Sequence, residues 1–213
     1  QANSDANWSV LDGAIHSDAG SPGLNVTTVP FADYELLCDF KLAEGGNSGV
    51  FLRTPVTPTN PAVDCYELNI CDTHKAFRTA SLVARQKGPD GLSVEGEWHT
   101  FRVKLEGSEM NVKLDGTSVL DFTDTTDKPL VGGRIGLQMN GGEVRFRNIF
   151  VRPLGTGEIF NGRDLSGWRV VPGGKSNFTV ADGAIHAENG AGFLETESTW
   201  GDFVLQAEAR TNG

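Results

Sequence analysis

Tyr34-Glu35-Leu36-Leu37-Cys38-Asp39-Phe40 alternates apolar and polar positions in the manner of a half-buried strand. Similar short runs follow it: Gly49-Val50-Phe51-Leu52-Arg53, His99-Thr100-Phe101-Arg102-Val103-Lys104-Leu105 and Met110-Asn111-Val112-Lys113-Leu114. Arg134-Ile135-Gly136-Leu137-Gln138 and Val144-Arg145-Phe146-Arg147-Asn148-Ile149-Phe150-Val151 complete the set. Turn dipeptides punctuate them, among them Asp12-Gly13, Gly45-Gly46, Asp90-Gly91, Asp115-Gly116, Gly141-Gly142 and Asp182-Gly183. No stretch sustains an apolar helical period for three turns. Many short strands separated by turns predict two packed antiparallel sheets, an all-β sandwich with helix under about a tenth of its residues.

The balance of charge narrows the partners. The 213 residues carry 18 Lys+Arg against 28 Asp+Glu, a net charge of −10, and 38% are hydrophobic. That apolar share supports a real core and excludes disorder. An acidic chain is a poor ligand for a phosphate backbone, which excludes nucleic acid as the expected partner. No apolar run approaches the roughly 18 residues of a membrane-spanning helix. Gln1 is not followed by a charged and then apolar leader, so any signal peptide is expected to have been removed already. Cys38, Cys65 and Cys71 are an odd set without metal spacing, and they read as small buried hydrophobes.

An internal repeat organises the chain. Trp8-Ser9-Val10-Leu11-Asp12-Gly13-Ala14-Ile15-His16 recurs as Phe178-Thr179-Val180-Ala181-Asp182-Gly183-Ala184-Ile185-His186. Ala32-Asp33-Tyr34-Glu35-Leu36 then matches Gly201-Asp202-Phe203-Val204-Leu205. One nearly whole unit over 7–153 is therefore expected, followed at 158–213 by the opening strands of a second. A half sandwich leaves an uncovered sheet face and open strand edges. Its apolar set, Trp168, Phe178, Ile185, Phe193, Leu194, Trp200, Phe203 and Leu205, predicts pairing with the first unit or with another chain, including a homo-oligomer.

Several motifs together resemble a known family. Glu158-Ile159-Phe160-Asn161-Gly162-Arg163-Asp164-Leu165-Ser166-Gly167-Trp168 is similar to the opening signature of the 3-keto-disaccharide hydrolase domain family. Gly46-Asn47-Ser48-Gly49-Val50-Phe51-Leu52-Arg53, Tyr66-Glu67-Leu68-Asn69-Ile70 and Gly96-Glu97-Trp98-His99-Thr100-Phe101-Arg102-Val103 resemble its central segments. Leu114-Asp115-Gly116, Gly136-Leu137-Gln138 and Phe146-Arg147-Asn148-Ile149-Phe150-Val151-Arg152-Pro153-Leu154 resemble its later ones. The resemblance implies a concanavalin A-like jelly-roll sandwich in an exported bacterial protein, periplasmic, cell-surface or extracellular. It also implies cleavage of 3-keto-glycosides or a related disaccharide. The chain departs from the family pattern at Asn69, where Gln or Glu is common. It departs again at Met139-Asn140, where an Asp-His pair often follows the Gln.

Alternation sorts the residues of these segments. Tyr66, Leu68 and Ile70 point to the core, which sends Glu67 and Asn69 to the opposite, concave face. The same reasoning groups Phe51 with Arg53, and Arg134 and Gly136 with Gln138. Carboxylate and amide groups suit sugar hydroxyls, and Trp98 or Tyr66 could stack on a pyranose face. The expected cleft thus holds Arg53, Glu67, Asn69 and Gln138, with Asn47 and Trp98 as further sugar contacts and Asp72 and His74 at the rim.

Each group has an expected role under the implied chemistry. A sugar oxidised at C3 has an acidified C2 proton, and its removal gives an enolate that expels the anomeric substituent before water adds. Glu67 is the expected base and Arg53 the stabiliser of the carbonyl oxygen. Asp72 or His74 would serve as the acid, or the two together would bind a divalent cation. Glu67-Leu68-Asn69-Ile70-Cys71-Asp72 is also similar to the Glu-x-Asp-x-x-Glu strand of laminarinase-type glucanases, but neutralising the middle carboxylate to Asn and shortening the last to Asp weakens classical retaining hydrolysis. A non-catalytic, lectin-like carbohydrate-binding module is the alternative function, and an assembly repeat of a larger surface protein is a third.

Overall fold

The computed structural model describes residues 6–201, 203 and 205–211. It divides into two compact units, Gln1–Gly155 and Thr156–Gly213. The described residues contain no helix.

In the first unit, β1 (Ser9–Leu11) and β2 (Ala14–Ser17) form a hairpin, followed by β3 (Gly23–Val26) and β4 (Tyr34–Leu42). Next come β5 (Asn47–Thr54), β6 (Tyr66–Ile70), β7 (Trp98–Glu106) and β8 (Glu109–Leu114). Then β9 (Thr117–Thr123), β10 (Arg134–Gly141) and β11 (Val144–Pro153) complete it. They build a seven-stranded sheet in the order β1-β2-β11-β4-β7-β8-β9 and a four-stranded sheet in the order β3-β10-β5-β6. Strand pairs within both sheets are antiparallel, as the alternating runs predict.

The strand alternation sets the packing. In β4, Tyr34, Leu36, Cys38, Phe40 and Leu42 are buried while the residues between them are half-exposed. They meet Val50 and Leu52 of β5, Leu68 and Ile70 of β6 and Leu137 of β10 in one core between the sheets. Phe40 and Phe101 pack with ring centroids 4.7 Å apart. Cys38, Cys65 and Cys71 are free and buried, and burial raises the Cys38 and Cys65 thiols to about 12. These cysteines serve as packing groups.

At Asp12-Gly13, φ values of 50° and 74° place two successive residues in the left-handed region. That geometry makes the two-residue turn whose twist matches a hairpin. The repeat reproduces it: Asp182 and Gly183 have φ of 50° and 74° and join β13 (Asn177–Ala181) to β14 (Ala184–Glu188). Their register matches as well, with Ser9 opposite His16 in one copy and Thr179 opposite His186 in the other.

The second unit also contains β12 (Trp168–Val170), paired with β15 (Leu194–Thr196). Its strands pair only with one another among the described residues. β12–β15 and β13–β14 are each two-stranded sheets. Phe193, Trp200, Phe203 and Leu205 are exposed. Asp202 and Val204, part of the repeated segment, lie outside the described residues. In the first unit the counterparts Tyr34 and Leu36 are buried in the core between the two sheets, whereas the described residues of the second unit form only two-stranded sheets.

Candidate functional site

The four-stranded sheet places a defined set of residues on its outer face. Glu67 lies opposite Phe51, which lies opposite Gly136; Asn69 lies opposite Gly49, which lies opposite Gln138. Their neighbours Val50, Leu52, Leu68, Ile70 and Leu137 fill the core, so these six face the other way, as the alternation of Glu67, Asn69 and Gln138 predicts.

The glycines form the floor between the polar groups. A Cβ at Gly49 would lie 3.3 Å from Gln138 Oε1 and 3.6 Å from Glu67 Cγ. Bare backbone there lets Gln138 Nε2 donate to Glu67 Oε1 at 3.1 Å across the strand between them. Gly136 is equally hemmed in, since a Cβ would meet Phe51 and Val26 side chains at 3.2 and 3.3 Å. The alternation already grouped Gly136 with Gln138; its role as open floor was not deduced from it.

The electrostatics of Glu67 are unusual for this protein. It is 8% exposed, and burial raises its carboxyl above the ordinary carboxylate range, opposed by the Gln138 hydrogen bond. No cation pairs with it among the described residues. The other face-lining amide is only half satisfied: Gln138 Oε1 is shielded and has no partner among the described residues. Rotating the amide would set its oxygen against the Glu67 carboxylate, so the charge fixes its orientation.

Asn69, buried at 2% exposure, donates its Nδ2 to the Phe77 carbonyl at 2.5 Å. Its backbone binds Ser81 and Ala80, so the segment after β6 folds back along that strand. Asn69 therefore anchors this loop as well as lining the face.

Asp72 does not serve as an open acid. Its Oδ1 accepts from the Thr79 hydroxyl at 2.6 Å and its Oδ2 from the Val94 N–H at 2.7 Å. Both oxygens are spent on holding the loop, a use that spacing alone does not reveal. His74 is half-buried in the same loop, and its Nδ1 accepts the N–H groups of Ala76 and Phe77 at 3.2 and 2.8 Å. This leaves the ring proton on Nε2. The expected Asp72–His74 cation site is therefore not formed, and no group of three or more His, Cys, Asp or Glu is placed to hold a metal among the described residues.

Arg53 is a second correction. Between Arg134 and Gly136 the β10–β5 register shifts, so β5 carries one extra residue there, and Arg53 adopts φ of 49°. A bulge with a left-handed residue breaks the alternation that had grouped Arg53 with Phe51. The side chain, 0% exposed, reaches Asp33 Oδ1 at 2.7 Å, the Ala32 carbonyl at 3.1 Å and the Gly107 carbonyl at 2.6 Å, as well as that of Leu130. Gly133 passes directly over the bulge, where a Cβ would lie 2.4 Å from the Arg53 carbonyl carbon. Arg53 is a structural tie, with no donor directed to Glu67.

Trp98 is a third correction. It lies opposite Lys41 on the seven-stranded sheet, and the Arg147 guanidinium sits 3.9 Å from its ring centroid. Lys41 alternates with core residues of β4 and so faces outward. Trp98 and Glu67 thus occupy the outer faces of different sheets. Tyr66 is buried, and its hydroxyl donates to Asp124 Oδ2 at 2.6 Å, which removes the second stacking aromatic. Asn47 opens β5, half-buried, on the same side of the strand as Gly49.

Comparison with known proteins gives this geometry a context. The family model described as the 3-keto-alpha-glucoside-1,2-lyase-like domain matches residues 1–152 and 155–213. A crystal structure of a "putative glycosyl hydrolase" from Parabacteroides distasonis ATCC 8503 is 25% identical, covering 72% of this chain and 94% of its own, with a TM-score of 0.59. A second structure of the same description from that organism is 18% identical, covering 69% and 83%, with a TM-score of 0.60. A carbohydrate-binding module, CBM66 from Bacillus subtilis, is 14% identical, covering 70% and 92%, with a TM-score of 0.56. These likenesses agree with the concanavalin A-like jelly-roll sandwich expected from the sequence. No curated protein matches the chain.

Proposed function

The chain belongs to the 3-keto-alpha-glucoside-1,2-lyase-like domain family, and on that premise we propose that the outer face around Glu67 binds a 3-keto-glycoside and cleaves it by elimination. One observation carries the reading. A nine-tenths-buried carboxylate whose neighbour is a neutral amide costs the fold stability, since buried carboxylates are ordinarily paired with cations. Such a group suits a base that must bind a proton near neutral pH.

In this scheme Glu67 Oε2, which takes no hydrogen bond among the described residues, removes the C2 proton of the sugar. The C–H electron pair forms the C2–C3 double bond of an enolate, with the charge on the C3 oxygen. Collapse of the enolate restores the C3 carbonyl, forms a C1–C2 double bond and breaks the C1–O bond. The leaving oxygen takes a proton, and water then adds across C1–C2. No oxidant or reductant is consumed. With Arg53 committed elsewhere, donor support for the C3 oxygen falls to the Gln138 amide. His74 Nε2–H is our candidate for the leaving-group proton.

A second reading, a carbohydrate-binding module without turnover, draws support from Arg53 and Asp72. Two of the four groups expected in catalysis are consumed by structural hydrogen bonds. Incubation with a 3-keto-glucoside separates the readings. Growth of ultraviolet absorbance from the unsaturated ketone supports elimination; calorimetric binding with no product over hours supports the module and overturns the enzyme.

A further inference from the structure

Beside Asn69 lies a second feature that the elimination scheme does not use. Lys75, Arg78 and Lys87 converge on a cavity of about 80 Å³ whose wall includes Ser81 and Gly88, with Asp90 as its sole carboxylate among the described residues. In a chain of net charge −10, three cations gathered round one small cavity leave positive charge uncompensated. Lys75 and Lys87 form no ion pair among the described residues. Arg78 Nε donates to the Asp72 carbonyl at 2.7 Å, which fixes its guanidinium while leaving its terminal nitrogens without a partner among the described residues.

The buried wall supplies an independent sign of a ligand. Ser81 is 1% exposed, and its Oγ accepts the Gly88 N–H at 2.9 Å, yet its own hydroxyl proton meets no acceptor among the described residues. Gly88 is required for this wall, because a Cβ there would lie 2.7 Å from the Ala80 carbonyl. A buried hydroxyl donor facing the same small cavity as three cations matches what an oxyanion needs: charge plus a short, directed hydrogen bond. Ser81 also ties the cavity to the main face, since its carbonyl accepts the Asn69 N–H at 2.9 Å.

We propose that this cavity is an anion subsite that receives the carboxylate or sulfate group of an acidic carbohydrate whose neighbouring ring lies over Gly49 and Glu67. The inference rests on the reading of that face as a sugar site. Neutral sugars would leave the three cations facing water, whereas an anionic substituent would neutralise them and take the Ser81 proton.

Titration of the whole chain with glucuronate, glucose 6-sulfate and glucose, followed by amide NMR and calorimetry, tests it. The two anionic sugars are expected to bind roughly tenfold or more tightly than glucose and to shift the Ser81 and Gly88 amides. Lys75→Gln/Lys87→Gln, at exposed positions, should remove that preference while leaving turnover of a neutral 3-keto-glucoside unchanged. Anionic sugars binding no tighter than glucose, or an unchanged preference in the double variant, overturns the subsite. Failure of the elimination reading would show separately, as no turnover by the parent protein, and would leave the anion titration to decide this one.

Discussion

Gln138 donates its side-chain amide to Glu67 at 3.1 Å across the bare backbone of Gly49. The relationship gives a buried carboxylate a neutral partner. Burial raises the Glu67 carboxyl above its ordinary range, whereas in the unfolded chain it titrates normally. The contribution of this group to stability is therefore full below the unfolded value and lost as pH rises through the folded one. Glu67→Gln should raise the melting temperature at neutral pH, with the gain vanishing below about pH 4. Thermal unfolding at both pH values checks this, and an equal gain at each would contradict it.

Gly49→Ala tests the floor. The added Cβ would press on the Leu68 carbonyl at 3.1 Å and on Gln138 Oε1 at 3.3 Å. Overpacking of this kind costs about 1–3 kcal/mol, so the fold should survive while sugar affinity falls. Calorimetry reads the affinity; unchanged binding in a folded variant would remove the face from the site.

Arg53→Ala should be a stability mutation. It strips donors from the Ala32, Gly107 and Leu130 carbonyls and from Asp33. Asp33 is 36% exposed at its side chain, so the loss comes chiefly from the carbonyls left without donors, about 1–3 kcal/mol for each that stays buried. Denaturant unfolding should show that loss. A variant of parental stability without turnover would return Arg53 to the catalytic set.

The exposed Phe193, Trp200, Phe203 and Leu205 predict concentration-dependent self-association through the second unit. Sedimentation velocity should show it weakened in Phe203→Ser/Leu205→Ser. A monomer at all concentrations, in the parent protein, would contradict the prediction.

Alternation was legible wherever a strand stayed regular. Glu67, Asn69 and Gln138 face outward because β6 and the middle of β10 keep a period of two against buried neighbours. Arg53 escaped because a bulge is one inserted residue, which composition does not announce. Trp98 escaped because its strand pairs into the other sheet, and strand order is a tertiary fact. Asp72 and His74 read as functional because loops carry function, yet Thr79, Val94, Ala76 and Phe77 consume their acceptors. The repeated Asp-Gly turns, by contrast, declared their hairpins directly, since φ near +50° followed by glycine is the geometry that pair favours.

Hydrogen exchange at sugar C2 tests Glu67 as base without depending on the leaving-group acid or on product release. A 3-keto-glucoside incubated in deuterium oxide with the parent protein should lose its C2 proton signal or give product deuterated at C2. Glu67→Gln should slow that exchange by about 10²–10⁴-fold, the usual contribution of a positioned general base. Exchange at the parental rate in a folded Glu67→Gln protein would contradict the assignment.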